Sequence, residues 1–248
     1  MIDPAPEPPL RPRASLATED AREIGSIEAA LGAAMAAAGL PLRQDGDVWR
    51  LAATPTTAAL AEIARWLHAQ GHGGRWRGEQ LSVADDTGHV VGTIERAVVR
   101  PLGISTHAVH LVGRGAGGRV WIQQRALDKA TDPSLWDTLM GGLMAAGETV
   151  ASTLERETWE EAGLRVADLL AMRATSRFTI RRPVRDGYLV EHFYVFEAVV
   201  PDGITPNNQD GEVAAFALVT LDELRQRLRA GEFTVEAALI LGELLQRS

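Results

Sequence analysis

Three glutamates, Glu157, Glu160 and Glu161, crowd one short stretch of the segment GGLMAAGETVASTLERETWEEAGL, which runs from Gly141 to Leu164. If that stretch is helical, about 100° of rotation per residue places the three side chains within an arc of roughly 100°, converging on one point. Three anions that close need a cation. A hard divalent ion, magnesium or manganese, suits a set made only of carboxylates in a chain without cysteine. A solvated acidic face is the ordinary meaning of clustered glutamates on a helix, and the residues around these three decide against it.

Read from Gly142, the order is glycine, five residues, Glu148, seven residues, then Arg156, Glu157, Thr158, Trp159, Glu160, Glu161, Ala162, Gly163 and Leu164. This resembles the Nudix box at every charged and glycine position. Seven fixed identities at about one chance in fifteen each multiply to below roughly 10⁻⁸ per register on average residue usage, so coincidence explains it poorly. Thr158 departs from the pattern, which more often has an aliphatic residue there; its methyl is expected to pack inward.

The glycines have local physical work to do. Gly141, Gly142 and Gly147 flank a loop whose backbone must approach metal and phosphate, where a Cβ would obstruct. Thr149 or a neighbour is expected to cap the helix, and Gly163 to end it in the left-handed conformation. The resemblance implies that Glu157, Glu160 and Glu161 bind the metals, Mg2+ or Mn2+, with the Gly141 carbonyl a further candidate ligand. It also implies that Arg156 and Glu148 form ion pairs that hold the glutamates in place. One of the glutamates, or a carboxylate further along, then deprotonates the attacking water.

Upstream lies a second constellation, Arg125, Lys129, Pro133, Trp136 and Asp137, in QQRALDKATDPSLWDTLMGG. Arg125 by a fork and Lys129 as a point charge could clamp a diphosphate ahead of the Gly142 loop; the plain alternative is two surface cations. Together with THAVHLVG at Thr106 to Gly113 and the preceding module, this resembles Nudix proteins with an N-terminal extension related to thiamine pyrophosphokinase-linked proteins. Members of that group hydrolyse oxidised, damaged forms of thiamine diphosphate. The same order is similar to isopentenyl diphosphate isomerase, which relies on a catalytic cysteine; with no cysteine here that reading fails on chemistry. A third carboxylate outside the box is common in the family, with Glu212 the first candidate ligand and Glu191 the second. His107, His110 and His192 sit at strand positions and are expected to pack or make polar contacts. Trp136, Phe178 or Tyr188 could stack on an aromatic ring, though core packing is the commoner use of such residues.

The chain of 248 residues, 46% of them hydrophobic, can fill a sizeable core. Its net charge of −8 argues against a nucleic-acid-binding surface. No apolar run reaches membrane-spanning length and the first residues lack a signal-peptide order, so a soluble cytoplasmic protein without a membrane partner is expected. A homodimer is a candidate assembly.

Residues 1–17, proline-rich, are expected to be a disordered tail. Residues 18–103 should form a small α/β module, with helices over Ala21 to Ala38 and Thr57 to Gln70 and a hairpin of Gln80 to Ala84 with His89 to Ile94. Residues 104–248 should be the catalytic domain. There His107 to Gly113 and Arg119 to Gln124 pair across GRGAGG, which lacks the lysine and hydroxyl of a P-loop. Strands follow at Arg173 to Ile180, Tyr188 to Val200 and Glu212 to Val219, and helices at Leu221 to Arg229 and Val235 to Leu245. The fold class is α/β, the mixed-sheet α/β/α sandwich of the Nudix fold.

Function is then metal-assisted hydrolysis of a small-molecule organic diphosphate. Oxidised thiamine diphosphate leads; nucleoside diphosphate derivatives such as ADP-ribose or nucleotide sugars come next. A non-catalytic binding module comes third, since a scaffold has no use for three mutually repelling glutamates.

Overall fold

The computed structural model of the chain describes residues 3–129 and 131–247, so Met1 and Ile2 of the expected tail lie outside the described residues. Two compact units divide the chain.

The first unit gathers Met1–His107, Met144–Gly147 and Phe178–His192. Its centre is a four-stranded sheet of β1 (Arg13–Ala17), β2 (Glu23–Glu28), β3 (Leu42–Asp45) and β4 (Val48–Leu51) in the order β2-β1-β4-β3. Strands β1 and β4 run parallel and the other pairs antiparallel. Helix α1 (Ala29–Ala37) lies against Trp49 of β4, and a Cβ on its Gly32 would strike the indole. Helix α2 (Thr56–Ala69) buries Leu60, Ile63, Ala64 and Leu67, the face its sequence spacing predicts. The expected hairpin forms from β5 (Gln80–Ala84) and β6 (Val90–Glu95), paired antiparallel.

Two expectations are corrected here. Residues 13–17, assigned to the tail, are strand β1: Leu16 is fully buried, and Arg13 donates to Ser26 Oγ at 2.9 Å and to the Pro101 carbonyl at 2.7 Å. The preceding prolines do not leave the segment loose either, since Asp3 Oδ1 accepts from Thr179 N and Glu7 N donates to the Arg181 carbonyl, both at 2.9 Å. The helix expected from Ala21 begins only at Ala29, because EIGSIE at Glu23–Glu28 is β2, with Ile24 and Ile27 buried. The isoleucines favour a pleated surface, and the alanines that suggested helix all lie after them.

The second unit gathers Ala108–Leu143, Glu148–Arg177 and Phe193–Ser248. The seven-stranded sheet comprises β7 (Thr106–Arg114), β8 (Val120–Arg125), β9 (Trp136–Asp137), β10 (Met140–Leu143), β11 (Leu170–Val184), β12 (Gly187–Val199) and β13 (Val213–Val219). Its path is β11-β12-β7-β8-β13, with β10 added to β7 and β9 to β8. Helix α3 (Val150–Ala162) follows β10, and α4 (Leu221–Arg229) and α5 (Val235–Arg247) close the chain. Val109, Leu111, Ile122 and Phe193 from the strands, Leu139 from the link between β9 and β10, and Leu154, Leu224 and Leu241 from the helices are buried in its core. Sheet plus helices is the expected α/β class, preceded by the sheet of the first unit. Strands β9 and β10 had no counterpart among the predicted elements, being short and set only by pairing with β8 and β7.

Candidate active site

Helix α3 starts and stops on local chemistry. Thr149 Oγ1 accepts from Ser152 N at 3.1 Å while Ser152 Oγ accepts from Thr149 N at 2.8 Å, a reciprocal cap that satisfies two end donors. Gly163 ends the helix at φ 62°, and a Cβ there would run into the Asn207 carbonyl. Thr158 faces inward, fully buried, and its hydroxyl has no hydrogen-bond partner among the described residues. Its methyl packs as expected, with the oxygen carried along unpaired.

Arg156 organises the acidic face. Its Nε and Nη2 grip Glu148 Oε1 and Oε2 at 2.6 and 2.8 Å, and Nη1 donates to Glu157 Oε1 at 2.8 Å and Glu160 Oε2 at 3.0 Å. Nη2 also donates to the Leu143 carbonyl at 3.1 Å. These bonds engage all five N–H groups of a guanidinium, and the Glu148 hydrogen bonds are the first cause that raises its pKa. Glu148 in turn accepts from Thr153 Oγ1 at 2.9 Å. The ion pairs implied for Arg156 and Glu148 are thus present as geometry.

The three glutamates do not share one environment. Relative to Glu157, the helical rotation turns Glu161 by about 40° and Glu160 by about 60° the other way; Glu161 is buried, whereas the Glu160 side chain stays 41% exposed. Glu157 packs on Gly142, where any Cβ would fall on its carboxyl group. Burial first, and then the Glu161 charge, push the Glu157 carboxyl up to about 7 against the opposing pull of Arg156. Glu161 Oε2 accepts from Gln123 Nε2 at 2.7 Å and from Gly141 N at 3.0 Å. Its carboxyl is also raised, by burial above all, with those two donors and Lys129 opposing.

The three carboxylates are therefore held by Arg156 on one side and by Gly141 and Gln123 on the other. As the side chains stand, no group of three or more His, Asp or Glu among the described residues is gathered tightly enough to hold a metal ion. Arg156 stands between Glu157 and Glu160, and Glu161 is drawn to Gly141 and Gln123. The donor chemistry still fits a hard dication: all the candidate ligands offer oxygen, and two of them are buried carboxylates whose proximity already favours added positive charge. The glycine at 142 leaves the space that this carboxylate occupies.

The upstream cations are engaged. Arg125 Nη2 donates to the Thr131 carbonyl at 3.1 Å, and Nη1 lies 3.6 Å from Asp137 Oδ2. Lys129 Nζ pairs with Glu212 Oε2. Asp137, buried and pushed up to about 6 mainly by that burial, also accepts from Thr138 N at 2.8 Å. Nothing in its sequence neighbourhood marked Asp137 as the partner of Arg125. Glu191 accepts from Thr106 Oγ1 at 2.7 Å.

The histidines make packing and polar contacts. His110 is buried, with Nδ1 3.0 Å from Thr138 Oγ1 and its pKa lowered to about 4 chiefly by burial. His107 stacks on His192 at 4.9 Å. Of the three aromatic candidates, Phe178 is core, Trp136 lies under the Arg227 guanidinium at 4.9 Å, and Tyr188 lies under Arg13 at 5.9 Å.

Comparison with known proteins places this geometry in a family. The NUDIX domain model matches residues 105–239. "Nudix hydrolase 24, chloroplastic" of Arabidopsis thaliana is 30% identical over 161 residues, which cover 62% of this chain and 44% of that protein. "Isopentenyl-diphosphate Delta-isomerase" of Streptomyces coelicolor is 31% identical over 148 residues, 59% of this chain and 74% of that one. The chain spans about half the length of the Arabidopsis relatives it matches. Among solved structures, DR0079 from Deinococcus radiodurans superposes with a TM-score of 0.55 at 25% identity, covering 68% of this chain and 98% of that one. With its box on α3 and the family model spanning more than half of its residues, the chain belongs to the Nudix family.

Proposed function

We propose that the protein is a metal-dependent pyrophosphohydrolase that splits the phosphoric anhydride bond of an organic diphosphate. The observation that carries this reading is the pair of buried carboxylates, Glu157 and Glu161, set against the Gly141–Gly142 backbone with Arg156 spanning Glu148, Glu157 and Glu160. Glu157, Glu160 and Glu161, with the Gly141 carbonyl, would hold Mg2+ or Mn2+. Such an ion, when bound, neutralises a diphosphate and acidifies water. The chain's own part is orientation and proton transfer. Arg156 fixes the rotamers of Glu157 and Glu160, Glu148 fixes Arg156, and Glu157 or Glu160 takes the proton of the attacking water. Gly142 lets the Glu157 carboxylate lie against the backbone of the loop that would receive the phosphates.

Arg125 and Lys129 clamp the diphosphate in this reading. An incoming anion competes with the Thr131 carbonyl for Arg125 and with Glu212 for Lys129; Glu212 would be the candidate for an additional metal ligand. Similarity to an isopentenyl-diphosphate isomerase supports a diphosphate-bearing substrate, while cysteine-dependent isomerisation has no residue to run on. For the organic group we take oxidised thiamine diphosphate, supported by the resemblance that Arg125, Lys129 and Trp136 carry.

A substrate panel tests both levels. Oxidised thiamine diphosphate, intact thiamine diphosphate, ADP-ribose, nucleotide sugars and nucleoside triphosphates are compared by kcat/KM with product identification. Turnover is expected with Mg2+ or Mn2+, to vanish in excess EDTA, and to be highest for oxidised thiamine diphosphate, giving the monophosphate and inorganic phosphate. Full turnover in EDTA overturns the metal reading. A clear win for ADP-ribose or a nucleotide overturns the thiamine reading and leaves the hydrolase intact.

A further inference from the structure

We propose that Gln123 is a positioning residue for Glu161: its carboxamide fixes one oxygen of that carboxylate and leaves the other available to a divalent cation. This rests on the reading of Glu161 as a metal ligand.

Gln123 lies on β8, directly opposite Asp137 of β9, and is 1% exposed. A residue that deep in a sheet is normally apolar, because a buried amide must find partners for both of its ends. Gln123 finds only one. Its Nε2 donates to Glu161 Oε2 at 2.7 Å, while its Oε1 is buried without a hydrogen-bond partner among the described residues. An unpaired buried carbonyl costs stability, and a methionine or leucine would fill a similar space without that cost. What only the amide supplies is the N–H on Glu161.

The second donor makes the geometry specific. Gly141 N reaches the same Oε2 at 3.0 Å, so both bonds fall on one oxygen and set the orientation of the carboxylate while Oε1 is left to other partners. Both donors are neutral. Glu157 and Glu160 bond directly to the Arg156 cation, whereas Glu161 is oriented by two neutral donors. A carboxylate held in that way is suited to receive a cation, and outer groups of this kind tune ligand geometry and affinity.

The test uses the full chain and Mn2+ as probe. Free Mn2+ is counted by its electron paramagnetic resonance signal during titration of wild type, Gln123→Met and Glu161→Gln, with melting in EDTA as the folding control. Gln123→Met keeps side-chain length and removes both the donor and the orphan carbonyl. It is expected to melt in EDTA at or above wild type, to bind Mn2+ about tenfold or more weakly, and to lose kcat more than it changes KM. Unchanged Mn2+ affinity in Gln123→Met, where Glu161→Gln loses binding, overturns the proposal and spares the ligand reading. Wild-type affinity in Glu161→Gln overturns that reading, and this proposal with it. Should Gln123→Met fail to fold, Gln123→Asn, polar but too short to reach Glu161, takes its place with the same expected loss of Mn2+ affinity and a lower melting temperature, since its amide is left unpaired.

Discussion

Glu157→Gln measures what it costs α3 to bury an ionised carboxylate beside Glu161. Without metal, burial and the neighbouring Glu161 charge lift the Glu157 carboxyl from 4.5 to about 7. The folded chain therefore binds this proton more tightly than the unfolded chain does. Between pH 4.5 and 7 the unfolded state gives the proton up first, so the group's contribution to stability falls as pH rises through that window and is flat above it. A tenfold change in proton affinity is worth about 1.4 kcal/mol, so the ionised carboxylate costs the folded protein about 3 kcal/mol at pH 8. Glutamine retains an oxygen for Arg156 Nη1, which donates to Oε1 at 2.8 Å, and carries no charge. In EDTA at pH 8 the variant is expected to melt about 5–10 °C above wild type, while near pH 4.5 the two melt together. Turnover falls by orders of magnitude at both ends of that range. Melting curves followed by circular dichroism at half-unit pH intervals decide the matter. A variant that melts below wild type at pH 8, or a difference that does not change with pH, refutes the reasoning.

Arg156→Lys keeps the charge but replaces a five-donor fork by a single ammonium, losing the two-point grip on Glu148 and the bond to Leu143. After discounting for partial exposure, a loss of about 2 kcal/mol in urea unfolding is expected, with a fall in kcat; a loss below about 0.5 kcal/mol would show the network to be ornamental. Thr158→Val removes a buried hydroxyl that has no partner among the described residues while keeping the shape. It should stabilise by about 1 kcal/mol, and a lower melting temperature would mean that the oxygen does bond in solution.

What could be read from the chain was what its near neighbours determine. Thr149 caps and Gly163 terminates α3 through bonds to residues within a few positions, so both roles were legible in the sequence alone. The burial of Leu60, Ile63 and Leu67 followed from helical spacing in the same way. Strand β1 was missed because its near partner β2 was itself read as helix, its other partner β4 lies some thirty residues downstream, and its own five residues follow a run of prolines. In the site, the types and the helical face of the three glutamates were readable, but their partners were not. That Glu161 turns to Gly141 and Gln123, and that Arg125 turns to Asp137, depends on β9 pairing with β8, β10 with β7, and β7 with β8.

Those long-range contacts explain how one helix can carry so many acids and still fold. Arg156 gathers Glu148, Glu157 and Glu160 on a single cation, which removes most of the repulsion at the exposed side of the cluster. The inner side is left costly: Glu161 is satisfied by neutral donors, and Glu157 keeps a raised affinity for a proton. A sequence selected for stability alone would neutralise those two positions or line them with apolar side chains. The local rules of capping and glycine placement agree along α3, and the discord falls on two carboxylates, the orphan amide beside them and the Thr158 hydroxyl, which has no hydrogen-bond partner among the described residues. Discord gathered in one place is the expected mark of a functional site.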